Sequence, residues 1–270
     1  MAISNFIPQV WSARLQENLH NALVFGALCN RNYEGDITQW GDTVHINTLA
    51  DITVKPYDPS VSIDDPEELT GTETTLTIDH GSYYNFFIND VDAAQARADL
   101  MDEAMKNAAY RLAVDAEKYI LQVIKDGAGN NAEITLEENT PAALYNILLR
   151  IKGDMDAAGV PRFGRKLVIS PVIEMLLLSD ERFICGSSEA NARLEDGKVA
   201  RALGFDIYVS HDLMTEIIAM IPEAVTFANQ ITKVDAYRPE KGFCDGVKGL
   251  CLSGAKVLIP DAVQVYTIVE

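Results

Sequence analysis

Apolar residues recur every three or four positions through residues 89–125, a long stretch of the chain without Gly or Pro. This pattern predicts one amphipathic helix, capped at its start by Asn89 or Asp90 and ended by Gly127 and Gly129. At 1.5 Å per residue the helix would be roughly 55 Å long. Such a rod needs an extended partner, either a coiled-coil helix or a thin subunit flanked by copies of itself. Its stripe is mostly Ala and Met, which favours a flat sheet as the partner. An ordinary surface helix that happens to be long is the alternative.

In the region before this helix, apolar and polar residues alternate strictly. Val44 and Ile46 alternate with polar residues, and so do Leu76 and Ile78, with a Pro-rich segment containing five acids between them (57–69). The pattern predicts a β-hairpin with a long acidic tip. Because isolated two-stranded hairpins are marginal in water, we expect it to project and rest on another subunit. The alternative is an edge hairpin of a normal sheet. A third strand at 83–88 leads into the helix.

From residue 141 to about 231 the pattern becomes compact α/β. Thr140 caps a helix with Pro141 at its first position, and Ser170 caps a second one after a buried strand in GRKLVIS. Further strands are predicted in FDIYVSHD and EIIAMIP, with a loop at 186–198 and a short helix or turn in PEAVTFANQI. Strands at 234–238, 247–251, 256–259 and 263–269 are expected to pack under the long helix.

The N-terminal region carries an apolar arm ahead of a helix that Ser12 caps and Gly26 ends. The arm's apolar residues either pack on their own domain or reach a neighbour; they are Phe6, Ile7, Val10 and Trp11.

The charge of the chain restricts the functions that it can have. The net charge is −18, and no cluster of Lys and Arg offsets it locally, so sequence-reading DNA binding is not predicted. No secretory signal and no stretch of 18 apolar residues occurs. The cysteines show no C-x-x-C spacing and are expected to be buried and reduced, and the histidines are scattered, so no metal or other cofactor is predicted. These residues are Cys29, Cys185, Cys244, Cys251, His20, His45, His80 and His211.

The sequence contains no convincing catalytic motif. The P-loop, the dinucleotide-binding fingerprint and the G-x-S-x-G elbow are absent from the sequence. Ser210-His211-Asp212 has the composition of a catalytic triad, but adjacent residues at a strand end point in different directions, so we interpret it as a turn. The protein is not expected to be an enzyme.

Taken in order, these segments resemble the major capsid (coat) proteins of tailed bacteriophages, which have the Hong Kong 97 fold. The resemblance covers essentially the whole chain and rests on NFIPQVWSARLQENLHNALVFG, GDTVHIN, YYNFFINDVDAAQARADLMDEAMKNAAYRLA, GRKLVISP, LGFDIYVSHDL and AYRPEKGFCDGVKGLCLSGAKVLIPDAVQV. It implies an α+β fold with four parts. These are an N-terminal arm (1–35), an extended β-hairpin loop (36–82), a peripheral domain with the long helix as its spine (83–135 and 240–270), and an axial α/β domain (136–239).

The resemblance also implies a function. The chain would self-assemble through hexamers and pentamers into an icosahedral head that encloses double-stranded DNA without sequence-specific binding, assembled in the host bacterial cytoplasm and retained in the virion. Expected partners are other copies, a separate scaffolding protein and a portal, with a decoration protein possible and no membrane. Because the cross-linking motif of certain relatives has no match, non-covalent shells are expected.

Subunit contacts are expected at the apolar arm and at the acidic hairpin tip, which would meet basic residues of a neighbour. The candidate interface residues are Phe6, Ile7, Val10, Trp11, Asp64, Asp65, Glu67, Glu68, Arg97, Lys106 and Arg111. An encapsulin-like shell that houses a cargo enzyme is the main alternative, and a soluble α/β enzyme is a third hypothesis.

Overall fold

The structure is a computed structural model that describes residues 23–33, 40–49, 53–54, 71–89, 100–135, 140–180, 198–239 and 244–269. The helices are α1 (Phe25–Leu28), α2 (Leu100–Gly127), α3 (Pro141–Ala157) and α4 (Pro171–Leu178). The strands are β1 (Thr43–Leu49), β2 (Gly71–Thr77), β3 (His80–Asn89), β4 (Asn130–Thr135), β5 (Lys166–Ile169), β6 (Lys198–Ala202), β7 (Phe205–Val209), β8 (Glu216–Met220), β9 (Val225–Tyr237), β10 (Cys244–Val257) and β11 (Gln264–Val269).

These strands form three sheets. β1 and β2 pair as an antiparallel hairpin, a three-stranded antiparallel sheet has the order β3-β10-β9, and a six-stranded mixed sheet has the order β4-β11-β8-β5-β7-β6. The fold therefore combines separate helices with mixed and antiparallel sheets, which confirms the predicted α+β class.

The long helix, α2, packs along the three-stranded sheet. The helix contacts β3 and β10, and Met105, Leu112, Ala116 and Ile120 of its predicted apolar stripe are buried. The helix ends at Gly127, where a Cβ atom would come within 2.6 Å of Cγ2 of Val257. The predicted C-terminal end is confirmed, and so is the stripe from Met105 onward; the part of the stripe before Met105 stays a prediction. Asn89 is the last residue of β3 and residues 90–99 lie outside the described ranges, so the predicted start of the helix stays a prediction.

The base of the hairpin packs on its own chain. Its four alternating apolar residues are buried together with Ala228 of β9 and Leu252 of β10. Gly254 permits this approach, because a Cβ atom there would lie 2.6 Å from the carbonyl oxygen of Thr77. The hairpin is thus neither an edge of a larger sheet nor wholly dependent on a neighbour. Its acidic tip, residues 57–69, lies outside the described residues.

The α/β region follows the sequence pattern closely. Thr140 Oγ1 accepts a hydrogen bond from the amide of Ala143 and Ser170 Oγ accepts one from the amide of Ile173, so both predicted caps are confirmed. Arg165 is buried, and its guanidinium reaches Asp156 at 2.7 Å and donates to the carbonyl oxygen of Val160 at 2.6 Å. This ion pair fixes the turn between α3 and β5.

Two local predictions are wrong. The segment PEAVTFANQI is a single 3₁₀ turn at Pro222–Ala224 followed by β9, not a helix or turn throughout. The two strands predicted at 247–251 and 256–259 lie in one strand, β10, with residues 258 and 259 beyond its end. Gly254 lies within this strand, and its missing side chain makes room for the hairpin.

Chain-distant strands complete the six-stranded sheet. β11 runs parallel to β4 on one side and antiparallel to β8 on the other. β4, which the sequence pattern did not predict, and β11 fall in the two ranges assigned to the peripheral domain, yet both belong to this sheet. The boundaries of the four predicted parts stay a prediction.

Candidate subunit-interface surface

One face of the three-stranded sheet is aromatic and open. Along β3, Tyr84 and Phe86 face the long helix, whereas Tyr83 and Phe87 point to the other side and are 79% and 61% exposed. Leu250 of β10 lies directly opposite Tyr83 and is also exposed. Large apolar residues exposed in a contiguous row commonly mark a surface that another molecule covers.

Trp40 extends this row. Its ring lies over Gly81, where a Cβ atom would come within 2.5 Å of Cζ3, and the side chain remains 61% exposed. Residues 81, 83, 85 and 87 share one side of the strand, so the row from Trp40 to Phe87 is roughly 20 Å long. We call Trp40, Tyr83, Phe87 and Leu250 the aromatic row.

Polar contacts hold the far end of this face in place. Tyr237 lies across Gly246, and its hydroxyl donates to Oδ1 of Asn85 at 2.7 Å. The ammonium group of Lys248 lies 5.7 Å from the centroid of the Tyr237 ring and 4.0 Å from a carboxylate oxygen of Asp235. The surface next to the aromatic row is therefore ordered by contacts that span all three strands.

A groove of about 790 Å³ separates β3 from the long helix. Eight consecutive residues of β3, 81–88, line one wall, and Ala104, Ala108, Arg111 and Asp115 are among those that line the other. Because the strand residues belong to both faces, the groove follows the edge of the strand. The small Ala side chains keep it open.

The N-terminal segment is fixed to the long helix by a buried carboxylate. Glu117 accepts hydrogen bonds from the amides of Phe25 at 2.9 Å and Gly26 at 3.0 Å. Burial raises the pKa of Glu117 to about 7, although the hydrogen bonds from these amides act in the opposite direction. Asn30 then pairs with β9, donating to the carbonyl oxygen of Val225 at 2.8 Å. Residues 23–30 thus pack on their own chain.

A cluster of Ser, His and Asp lies beside the groove but does not form a catalytic triad. The ring nitrogen Nε2 of His80 is 2.7 Å from Oδ2 of Asp115, and Ser82 Oγ donates to the same oxygen. A triad requires Ser and Asp on different ring nitrogens, whereas here both approach Nε2. Burial works to raise the pKa of Asp115, but the hydrogen bonds from Ser82 and His80 outweigh it and lower that pKa.

The same cluster joins three elements. The His80 ring stacks on Tyr119 with centroids 4.4 Å apart, and the Tyr119 hydroxyl donates to Asp79 at 2.5 Å while accepting from the amide of Ala255 at 3.3 Å. These contacts connect β3, α2 and β10. This arrangement connects the three-stranded sheet to the long helix and is typical of a structural cluster.

The remaining candidates for chemistry form no site within the part of the chain that the structure describes. His211 and Asp212 lie in a turn, as predicted, and the amide of Asp212 donates to Ser210 Oγ. Within the described residues, Cys29, Cys244 and Cys251 are free and buried, and burial raises the pKa of Cys251 to about 12. No group of three or more His, Cys, Asp or Glu side chains suitable for a metal occurs in the described ranges.

None of the described helices combines the length and apolar composition needed to cross a bilayer.

Few predicted interface residues fall within the described chain. Lys106 and Arg111 are exposed on the long helix, and Arg111 lines the groove. The others lie outside the described residues, and so does Cys185; they are Phe6, Ile7, Val10, Trp11, Asp64, Asp65, Glu67, Glu68 and Arg97. Sequence reasoning missed the aromatic row. Its signal was present, because YYNFF places aromatic residues on both faces of one strand.

A further apolar surface lies on the six-stranded side. Val172, Met175 and Leu178 follow one another at spacings of three along α4 and are exposed. Phe163, in the turn before β5, is 89% exposed. The surface candidates are thus distributed over both larger sheets.

Comparison with solved structures defines the class of protein. A chain from Mycobacterium phage Che8 is similar over 90% of this chain and 90% of its own, with a TM-score of 0.70 and 26% sequence identity. The capsid structure of the Cyanophage P-SCSP1u is similar over 92% of this chain and 89% of its own, with a TM-score of 0.70 and 16% identity.

A virus-like particle from Pyrococcus furiosus is similar over 96% of this chain and 98% of its own, with a TM-score of 0.62 and 13% identity. No family model and no curated protein matches the sequence. The chain has the fold of phage capsid proteins. The fold predicted from the resemblance to the coat proteins of tailed bacteriophages is therefore confirmed over nearly the whole chain.

Proposed function

We propose that this protein is the shell-forming subunit of a bacteriophage capsid. The observation that carries the proposal is the similarity to the Cyanophage P-SCSP1u capsid, which extends over 92% of the chain at a TM-score of 0.70. Such coverage leaves little of the chain for an unrelated activity.

Its surface fits repeated self-association. The aromatic row and the exposed side of α4 are apolar surfaces that a monomer leaves in water. Several modest contacts repeated around each subunit stabilise a closed shell by multivalency. In the proposed particle, hexamers and pentamers of the chain form an icosahedral head found in the virion.

The proposed cargo is double-stranded DNA held without sequence-specific contacts. With a net charge of −18 the chain would repel phosphate, which suits a container that must release its genome. Assembly in the host bacterial cytoplasm, with a separate scaffolding protein and a portal, completes the proposal; a decoration protein is an optional further partner.

Two sets of contacts between copies belong to the proposal. The apolar residues Phe6, Ile7, Val10 and Trp11 would anchor one subunit on another. The tip acids would meet basic residues of a neighbour. These pairs would involve Asp64, Asp65, Glu67 and Glu68 on one side and Arg97, Lys106 and Arg111 on the other.

An encapsulin-like compartment is the second candidate. It is supported by the similarity to the Pyrococcus furiosus virus-like particle, which covers 98% of that chain. The phage function is preferred because the Che8 chain has the higher identity, 26% against 13%. The contents of purified particles distinguish the two, since a head would package DNA and a compartment would copurify with an enzyme.

The test is to express the full chain alone and with candidate scaffolding proteins, followed by negative-stain electron microscopy and analytical ultracentrifugation. We expect closed particles of uniform diameter. If only monomers or small oligomers form at high concentration under every condition, the shell function is wrong.

A further inference from the structure

β3 is an edge strand that lacks the features by which most edge strands avoid pairing with other strands. It pairs with β10 over its whole length without a register shift, and among the described residues no strand pairs with its other side. Its sequence, HGSYYNFFIN, contains no Asp, Glu, Lys, Arg or Pro. Natural proteins commonly protect exposed edges with charges, prolines or bulges, because an open edge recruits other strands.

The other outer strands of the two larger sheets differ in this respect. β9 contains Lys233, β4 contains Glu133 and β6 contains Arg201. In a chain with a net charge of −18, ten consecutive uncharged residues on one edge form a distinct surface. We interpret this edge as a place where a further strand is received.

The groove beside β3 has the shape for such a strand. It follows the strand edge for eight residues, a length of about 25 Å. Its helix wall contains Ala104 and Ala108, which leave space, and its two charged residues, Arg111 and Asp115, have opposite signs. A neutral extended segment with alternating apolar residues would therefore fit better than an acidic one.

The N-terminal residues of the chain have this composition. Residues 2–7 read AISNFI, without a charged side chain, and Pro8 would end a strand after them. Ile3, Asn5 and Ile7 would face one way, and Ala2, Ser4 and Phe6 the other. The hairpin tip, by contrast, carries acids that would lie next to Asp115.

The attachment of the N-terminal segment favours a second copy as the donor. Residues 23–30 pack on the long helix and pair with β9, which is the opposite edge of the sheet from β3. A segment that leaves at one edge and an acceptor at the other edge make a head-to-tail contact. Contacts of this kind generate rings when the rotation closes.

We propose that the outer edge of β3 receives residues 2–7 of a second copy of the chain as an added strand. Backbone hydrogen bonds would supply affinity, and alternate side chains would contact Tyr83 and Phe87 on one face and the groove on the other. This inference deepens the proposed shell function by naming the surface and the segment that one pair of subunits shares.

The first experiment mixes two variants before assembly, each with one added cysteine in a chain whose four native cysteines are replaced by Ser. One chain carries Asn5→Cys, with Ile3→Cys and Ile7→Cys as alternative registers, and the other carries Tyr83→Cys. The control replaces Tyr83→Cys by Phe163→Cys, because Phe163 is a similarly exposed aromatic residue outside the three-stranded sheet. A disulfide forms only when the two Cα atoms lie within about 7 Å. We expect a linked dimer after mild oxidation with Tyr83→Cys and none with Phe163→Cys.

Three results would overturn the proposal. If one chain that carries both Asn5→Cys and Tyr83→Cys forms only an internal disulfide, the edge is occupied by the chain's own arm. A link from Tyr83→Cys to Ile63→Cys would assign it to the hairpin tip. No link at any register would leave the edge unoccupied. Particle formation by the unmodified chain is scored separately by microscopy, so the shell function can stand when this inference fails.

A second experiment places charges on the edge. The double variant Tyr83→Lys, Phe87→Lys should lose particles while the free subunit keeps its circular dichroism spectrum and unfolding midpoint, because both side chains are exposed. Deletion of residues 2–7 should produce the same loss, and combining the two should add nothing. Normal assembly by both variants, or an equal loss with Phe163→Lys, would contradict the assignment.

Discussion

The two larger sheets differ in how completely one chain covers them. The six-stranded sheet is filled from within, and its central residues Leu167, Val168 and Ile218 are almost wholly buried. The three-stranded sheet has the long helix on one face, whereas on the other face the base of the hairpin is what the described residues provide, and the aromatic row is exposed. Within the described residues one region is thus covered on its own, whereas the other has an uncovered face and edge, where the proposed contacts between subunits would form.

The sharpest test of this contrast compares two truncations. Ile218→Ala should destabilise the free subunit by about 2–5 kcal/mol, because it opens a cavity in a fully buried position. Phe87→Ala should change subunit stability by less than about 0.5 kcal/mol, yet reduce assembly. Urea unfolding of unassembled subunits measures the first effect, and particle yield measures the second. Equal destabilisation by both variants would remove the distinction between the regions.

The second largest effect is expected from pH, through the buried Glu117 that holds residues 25 and 26 on the long helix. The pKa of Glu117 is raised from its usual 4.5 to about 7, so the folded state binds the proton more tightly than the unfolded chain. Its contribution is therefore fully present below about pH 4.5 and is lost as pH rises through about 7, a change on the order of 3 kcal/mol.

Glu117→Gln should remove this component, since Gln does not ionise. The measurement is the urea midpoint of the free subunit between about pH 5 and pH 8, for both proteins. Asp212, Cys29 and Arg31 are the charged or titratable neighbours that act on the same site and remain in the variant. Identical pH slopes for the two proteins would show that Glu117 is not the titrating group.

A matched pair of glycine substitutions tests how closely the hairpin is seated. Gly254→Ala should cost about 1–3 kcal/mol, because the new Cβ atom would meet the backbone oxygen of Thr77. Gly153→Ala, in α3, meets nothing within 4 Å and should stabilise the subunit by up to about 1 kcal/mol. Thermal unfolding of both variants gives the comparison. A neutral Gly254→Ala would mean that the hairpin base shifts freely on the sheet.

The smallest effect is expected at the basic residues of the long helix. Lys106→Ala should weaken assembly by roughly 0.2–1 kcal/mol per contact, and the difference from the unmodified chain should shrink in high salt. The concentration needed for assembly, measured at low and high ionic strength, tests this. A salt-independent defect would point to lost packing by the side-chain stem instead of a charge pair.

Local patterns predicted the elements whose partners are close in sequence. The caps at Thr140 and Ser170 and the alternating strands of the hairpin depend on neighbouring residues, and the structure has them. The continuity of β10 was missed because Gly254 ordinarily suggests a break. Its reason lies in Thr77, far away in sequence.

The candidate surface was predicted only in part for the same reason. Whether Tyr83 or Tyr84 is covered depends on which side the long helix packs, and the alternation alone cannot decide this. Glu117 had a clearer signal, because this charged residue lies at helical spacing between Ala113 and Ile120, which are both buried. Its role as an acceptor for the amides of Phe25 and Gly26 needed the fold.

The position of β11 has a consequence for biosynthesis. This strand, late in the sequence, sits between β4 and β8, so β4 has no described strand partner until the ribosome has made residues 264–269. Pairing between such distant segments is slow relative to local contacts. A nascent chain would therefore hold an unfinished sheet while its amino-terminal half is already exposed to other nascent chains, and timely chaperone binding during translation should raise the yield of assembly-competent subunits.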